Sequence, residues 1–338
     1  MTPVLAKLAK KKNLSATEME DAMRLIVEGR ATDDEIENFL IGLRKKGETV
    51  EEIAAAAKVM RRYAVKLPTQ FQDLLDTCGT GGDGSNTVNV STLSSIVAVS
   101  AGARVAKHGN RSVSSRCGSF DVLELLGVRI DLTPEQIVES LEKNRFAFLF
   151  APRFHPATKH AMTARQRIKG KTIFNLLGPL SNPAGASFQL LGVYEERLVK
   201  TMAEVSRELG IKRAMIVHGS DGLDEITLTG ETKIAELKNG DIQVFSVTSE
   251  SFGFKKTKLS EFQRATKEEC LDSARQFFSN KASEAVRNIV YLNAGAAVYV
   301  AGKAGSIEEG IDLVRHAVES GKAAQTLDSL VQFSKAAA

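Results

Sequence analysis

Five short apolar runs, LLDTC, ARVAK, FAFLFAP, FQLLGVY and RAMIVHG, recur between residues 74 and 219. Runs this short suit buried strands. Most are separated by stretches of helical period: NVSTLSSIVAVSA, TPEQIVESLEKN and EERLVKTMAEVSREL. Few folds tolerate that alternation. It predicts an α/β domain with a mostly parallel central sheet covered on both faces. KIAELKNGDIQVFSV breaks the pattern, because Asn239-Gly240 sits between two alternating runs and predicts a hairpin. From Thr266 onward helical spacing returns.

The first 65 residues carry no strand signal. Three capping boxes follow one another: Ser15 with Glu18, Thr32 with Glu35, and Thr49 with Glu52. In each, the hydroxyl accepts from an orphan N–H while the glutamate reaches back to the cap. Helices this short need a partner surface, another domain or another subunit. The spacing therefore predicts a small all-helical domain over 1–65. It is joined in space by helices near 156–178, with HPATKHAMTARQRIKG read as one helix. Residues 66–155 and 179–338 form the large α/β domain.

The net charge of +4 over 338 residues is too mild to argue for nucleic acid or a membrane surface. Three scattered cysteines, Cys78, Cys117 and Cys270, offer neither a zinc site nor a disulfide frame, and suggest reduced thiols in the cytosol. MTPVLAKLAKKKN has no signal-peptide pattern.

The densest chemistry lies in CGTGGDGSNTVNVST, Cys78 to Thr92. It follows a strand at the carboxyl end, where open α/β sheets bind ligands. Gly79, Gly81 and Gly84 match GxGxxG, but a dinucleotide site wants a carboxylate after the next strand, and AGARVAKHGN is basic. No Gly-Lys-Ser/Thr follows either, so a P-loop is excluded. What remains is an anion nest: glycines at positive φ turn N–H groups inward. Asn89, Ser91 and Thr92 then add donors at a helix start. Phosphate is the natural guest.

KHGNRSVSSRCGS opens on the same edge as a loop of cations, hydroxyls and glycines. Lys107, His108, Asn110, Arg111 and Arg116, with Ser112, Ser114, Ser115 and Ser119, suit a highly charged phosphate ester. VHGSDGLDEITL sets Asp224 beside Glu225 after a strand. Adjacent carboxylates repel, and near phosphates the simplest partner is Mg2+, with Ser91 as a further oxygen ligand.

Read together, GTGGD, NVST, KHGNRSVSS, GSFDVLELLG, TIFNLLGPLSNP and HGSDGLDE closely resemble the anthranilate phosphoribosyltransferases of the nucleoside-phosphorylase-like class. The resemblance spans essentially the whole chain. It implies transfer of a phosphoribosyl group from 5-phosphoribosyl 1-diphosphate (PRPP) to anthranilate, in tryptophan biosynthesis. It implies Mg2+, two ions per subunit, and a cytoplasmic homodimer joined through the helical domain. Matched residue by residue, PRPP falls to Gly79, Gly81, Gly82, Asp83, Thr87, Asn89, Val90, Ser91 and Thr92. The second PRPP segment runs from Lys107 through His108, Gly109, Asn110, Arg111, Ser112, Val113, Ser114 and Ser115, with Ser119. Anthranilate falls to Gly79, His108, Asn110, Arg165, Gly178 and Pro179, and the metal to Ser91, Asp224 and Glu225. Arg116, Cys117, Phe120, Thr158 and Thr163 depart from the family's usual residues.

The chemistry needs no covalent catalyst. Losing diphosphate from a ribose carbon calls for charge stabilisation and positioning, and an aromatic amine is already neutral at pH 7. Two rival readings differ in class. A pyrimidine nucleoside phosphorylase shares the fold but not the pairing of KHGNR with Asp224-Glu225. A non-catalytic nucleic-acid binder would show salt-dependent binding to DNA.

Overall fold

The computed structural model of the chain describes residues 1–111 and 117–337. Four helices open it: α1 (Thr2–Ala9), α2 (Ala16–Val27), α3 (Asp33–Lys46) and α4 (Val50–Tyr63). Ser15, Thr32 and Thr49 each form both halves of their capping box. Helix α1 has Pro3 in its first turn, where a missing N–H costs no helical hydrogen bond.

Then come β1 (Leu74–Asp76), α5 (Val90–Ser100), β2 (Arg104–Gly109), α6 (Ser119–Leu125), α7 (Pro134–Lys143), β3 (Phe146–Phe150) and α8 (Ala151–Phe154). A 3₁₀ turn (Pro156–Ala161) leads to α9 (Met162–Arg167), α10 (Ile173–Leu180), β4 (Phe188–Gly192), α11 (Leu198–Glu208) and β5 (Arg213–Gly219). The chain ends with β6 (Glu231–Lys238), β7 (Asp241–Thr248), α12 (Lys267–Phe278), α13 (Glu284–Val300), α14 (Ile307–Glu319) and α15 (Lys322–Ala336). No helix among the described residues is long and apolar enough to cross a membrane.

One expectation fails locally. HPATKHAMTARQRIKG is not a single helix. Thr158 donates both its N–H, at 3.0 Å, and its hydroxyl, at 2.7 Å, to the carbonyl of His155. That closes an i→i+3 turn where Pro156 has already removed a donor, and the α-helix begins only at Met162.

The seven strands run in the order β3-β2-β1-β4-β5-β6-β7. Pairing is parallel through β5 and antiparallel for β6 and β7. The hairpin turns on Asn239 and Gly240, both at positive φ (54° and 85°), as a type I′ turn requires. From β1 the chain crosses to β2 on one side, while β4 lies on the other. The carboxyl ends of β1 and β4 therefore face a topological switch point, where such sheets leave a crevice.

Side chains alternate along each strand and build two large cores and a smaller third one, which gathers Leu74, Ala106, Ala147 and Leu149. Leu190, Met215, Val217 and Ile234 pack with α5, α12, α13 and α14. Leu191, Ile216 and Ala235 point the other way, to α11, α10 and the four N-terminal helices. The helical layer thus shares its core with one face of the sheet. Each fully buried Leu, Ile or Val contributes about 1.5–3 kcal/mol relative to an exposed position.

Candidate active site

The crevice holds the glycine stretch. Gly81, Gly82 and Gly84 take φ of 63°, 79° and 71°, the left-handed region that other side chains avoid. Thr80 fastens the loop to β4: its N–H donates to the Gly192 carbonyl at 2.9 Å, and its hydroxyl accepts from Tyr194 N at 3.1 Å. At the far end Val88 N donates to Phe262 O, and Thr87 pairs with Gln263. The amides of Gly82, Asp83 and Gly84 donate to no protein acceptor among the described residues. These are the unmet donors of an anion nest. Asn89 caps α5 in backbone position only. Its Nδ2 donates to Cys117 O at 3.0 Å, and its Oδ1 has no partner. Thr92 Oγ1 is likewise buried and unpartnered, while Val90 packs in the core.

Two glycines are dictated by the acid pair. A Cβ on Gly79 would stand 2.7 Å from Asp224 Oδ2, and one on Gly192 would stand 1.6 Å from the Asp224 carbonyl. No larger residue fits at Gly192. Gly81 N donates to Asp224 Oδ2 at 2.9 Å, so the acid helps shape the nest. Asp224 and Glu225 are half-buried and line a small pocket with Thr77, Gly79, Ser91, Ser94 and Asn293. Burial first, then the charge of Asp83, pushes Asp224 up to about 6. Burial and the neighbouring Asp224 push Glu225 well above the ordinary carboxylate range, against the pull of Lys107 and the Ser91 amide. This donor set, two carboxylates and the Ser91 hydroxyl with more negative charge than its surroundings balance, fits a hard divalent cation. Among the described residues no three His, Cys, Asp or Glu side chains form a ready cage. That accords with Mg2+, which keeps waters and substrate oxygens in its shell.

Beneath the pocket lies a layer that the sequence does not display. By sequence the basic loop starts at Lys107, but β2 runs on to Gly109, pairing Lys107 with Phe148 and His108 with Leu149. Lys107 is only 1% exposed, and its Nζ donates to Thr77 O at 3.0 Å, Thr77 Oγ1 at 3.3 Å and Ser91 Oγ at 3.2 Å. All three of its donors are engaged within the protein, and it serves as the buried positive charge beneath Asp76, Asp224 and Glu225. Asp76, fully buried, is raised to about 6 by burial, opposed by Lys107, Asn182 and the His108 amide. Asn182 Nδ2 donates to Asp76 at 2.7 Å, and His108 N donates to it at 3.1 Å. Asn293, fully buried on α13, pairs with the peptide of Ile226 in both directions at 2.9 Å, fixing the backbone just past Glu225.

His108 and Gly178-Pro179 do come together. His108 Nδ1 donates to the Gly178 carbonyl at 3.1 Å, which leaves Nε2 a buried lone pair without partner. Burial, then the His155 ring 5.1 Å away, holds its pKa down at about 3, so the ring is neutral. Burial lowers His155 to about 4. A Cβ on Gly178 would meet nothing within 4 Å, so open space adjoins it. Arg165 is half-buried, 5.0 Å over the Phe174 ring, with no acidic partner among the described residues. Gly109 is crowded by Phe120, and Asn110 accepts from Arg111 N at 2.8 Å. Arg111 is already paired with Glu124 and Asp121, and Ser119 opens α6. Ser112, Val113, Ser114 and Ser115 lie outside the described residues, as does Arg116. Of the other departures, Cys117 and Phe120 are buried in the core. Burial, then the charge of Asp76, pushes the Cys78 thiol far up, which disfavours its thiolate.

The glycosyl transferase family matches twice: its helical bundle domain over residues 2–64 and its a/b domain over residues 71–324. The anthranilate phosphoribosyltransferase of Persephonella marina is 48% identical over 332 residues, covering 98% of each chain. The chain belongs to the anthranilate phosphoribosyltransferase family. Among solved family members, the crystal structure from Thermus thermophilus superposes with a TM-score of 0.92 at 39% identity, covering 98% of this chain and 99% of that one. The Saccharomyces cerevisiae family member in complex with PRPP and Mg superposes with 0.89 at 26% identity, covering 99% and 98%.

Proposed function

We propose that the chain transfers the phosphoribosyl group of PRPP to the amine of anthranilate, giving N-(5-phosphoribosyl)-anthranilate and diphosphate in tryptophan biosynthesis. The carrying observation is Asp224-Glu225 seated against the glycine loop with more negative charge than Lys107 balances. The Saccharomyces cerevisiae relatives with PRPP and Mg, and with 4-fluoroanthranilate, support the same substrates here.

In this reading the unmet amides of Gly82 and Asp83 hold the diphosphate, with Gly79, Gly81, Thr87, Asn89 and Thr92 shaping its seat. Ser91, Asp224 and Glu225 hold Mg2+, two ions per subunit. Bound Mg2+ supplies positive charge against the departing diphosphate. Lys107 works from below through Ser91 and Thr77. Arg165 meets the anthranilate carboxylate with its planar fork. Neutral His108 lines the approach and offers Nε2 as an acceptor. By family resemblance the phosphoribosyl group falls to Asn110, Arg111, Ser112, Val113, Ser114, Ser115 and Ser119. Residues 1–65 with 156–178 form one lobe and the remainder the other, and the subunits pair through the helical lobe in the cytoplasm.

Mixing the protein with PRPP, Mg2+ and anthranilate tests the reading. Anthranilate fluorescence falls if it is right; unchanged fluorescence at high protein concentration contradicts it.

A further inference from the structure

Lys171 is a cation whose role neither the motifs nor the fold explains. It sits in the turn between α9 and α10, a turn sewn to the helical layer. Arg44 Nη1 donates to Lys169 O at 3.0 Å, and buried Ile168 and Ile173 flank the turn. From there the side chain reaches the glycine loop. Its Cε lies 3.2 Å, and its Nζ 4.0 Å, from where a Cβ on Gly82 would stand. The ammonium rests 3.7 Å from the centroid of the Tyr194 ring. Tyr194 is itself tied to the loop, its backbone N–H donating to the Thr80 hydroxyl at 3.1 Å.

Among the described residues Lys171 makes no ion pair and no hydrogen bond. That sets it apart from the enclosed lysines elsewhere. Lys46 reaches Glu52 at 2.8 Å, and Lys107 spends all three donors on Thr77 and Ser91. An ammonium carries three donors and no acceptor, and a π face satisfies its charge without using those N–H groups. Burial holds its pKa below the usual lysine range, opposed by Glu195, Asp83 and Asp224, which favour the charged form. Gly82, bare of a side chain at this point of contact, keeps its own unmet amide beside the ammonium.

We infer that Lys171 is a further binding residue for the diphosphate of the sugar donor, carried to the glycine loop from the helical layer and seated on Tyr194. The inference rests on the transferase reading. Two kinds of donor, loop amides from the sheet and an ammonium from the helices, meet on one anion. The ammonium gains most as the diphosphate departs and its charge grows. No proton changes hands.

Calorimetric titration of PRPP with Mg2+ into wild type, Lys171→Met and Lys171→Arg tests this, with turnover measured alongside. Losing one charge-assisted contact is expected to weaken PRPP binding roughly 10- to 100-fold in Lys171→Met, with the PRPP KM rising in step. The anthranilate KM should stay within about twofold, and Lys171→Arg, which keeps the charge and stacks on Tyr194, should restore most of the loss. Lys171→Gln, run in parallel, gives the same comparison if the methionine variant folds poorly. Variants that bind PRPP like wild type overturn the inference and leave the transferase reading intact. An equal rise in both KM values overturns it too, marking Lys171 as structural. Wild type that binds no PRPP overturns reading and inference together.

Discussion

Two of the enclosed acidic sites in this molecule, one in the helical layer and one beside the glycine loop, are treated in opposite ways. Glu52, in the helical layer, is fully buried and accepts from Leu14 N at 2.8 Å, Thr49 N at 2.8 Å and Lys46 Nζ at 2.8 Å. Asp224 and Glu225, past the carboxyl end of β5, receive only backbone amides and the charge of Lys107, and they face Asp83 and one another. A carboxylate that only holds the fold together is given every partner it needs. One that awaits a guest keeps its deficit, and the surplus charge is the signature of the site.

The largest effect should come from removing that surplus. Asp224→Asn with Glu225→Gln should cut turnover by about a thousandfold or more, since charge stabilisation of the leaving group depends on it. At pH 7.5 the melting temperature should hold or rise, because two mutually repelling charges are gone. A double variant with wild-type kcat would break the contrast. Glu52→Ala should do the reverse. It strands Lys46 in the interior and should cost about 3–5 kcal/mol in urea denaturation, while kcat per folded molecule stays near wild type.

Arg165→Ala should raise the anthranilate KM roughly 10- to 100-fold, the worth of a charge-assisted pair, and leave the PRPP KM within about twofold. An unchanged anthranilate KM removes Arg165 from the site.

The smallest effect is in acid. His108 and His155 hold pKa values of about 3 and about 4, below the roughly 6.5 of an unfolded chain. The unfolded chain therefore takes up protons first. The contribution of the two histidines to stability is complete above about 6.5 and is lost as pH falls from there through 4. Asp76 and Asp224, raised to about 6, run the other way: their contribution is present at low pH and lost as pH rises through about 6. Ring proton shifts of His108 and His155 should stay flat in NMR between pH 7.5 and 5.5, and a midpoint near 6.5 would show that burial does not hold them neutral.

Much of this was legible in residue order. Period and capping name the strands, the hairpin and the N-terminal helices because those signals are local: Thr49 finds Glu52 three residues on. The glycine stretch and the acid pair announce themselves by composition. What stayed hidden depends on partners distant in sequence. Asp76 joins the buried layer under the pocket only because Asn182 and Lys107, both distant in sequence, meet it there. Gly192 looks like any strand end until the Asp224 carbonyl passes over it. Lys107 reads as a loop cation because nothing in KHGNR shows that β2 continues to Gly109. Lys171 carries no motif, and its place over Gly82 comes from the turn after α9.

The central claim is that the charge deficit at Asp224-Glu225 makes donor binding depend on a cation. Calorimetry of PRPP binding with and without Mg2+, on wild type and on the Asp224→Asn, Glu225→Gln variant, tests it most directly. Wild type should bind PRPP far more tightly with Mg2+ than without, and the variant should lose that difference. Equal binding by wild type in both conditions would contradict the claim.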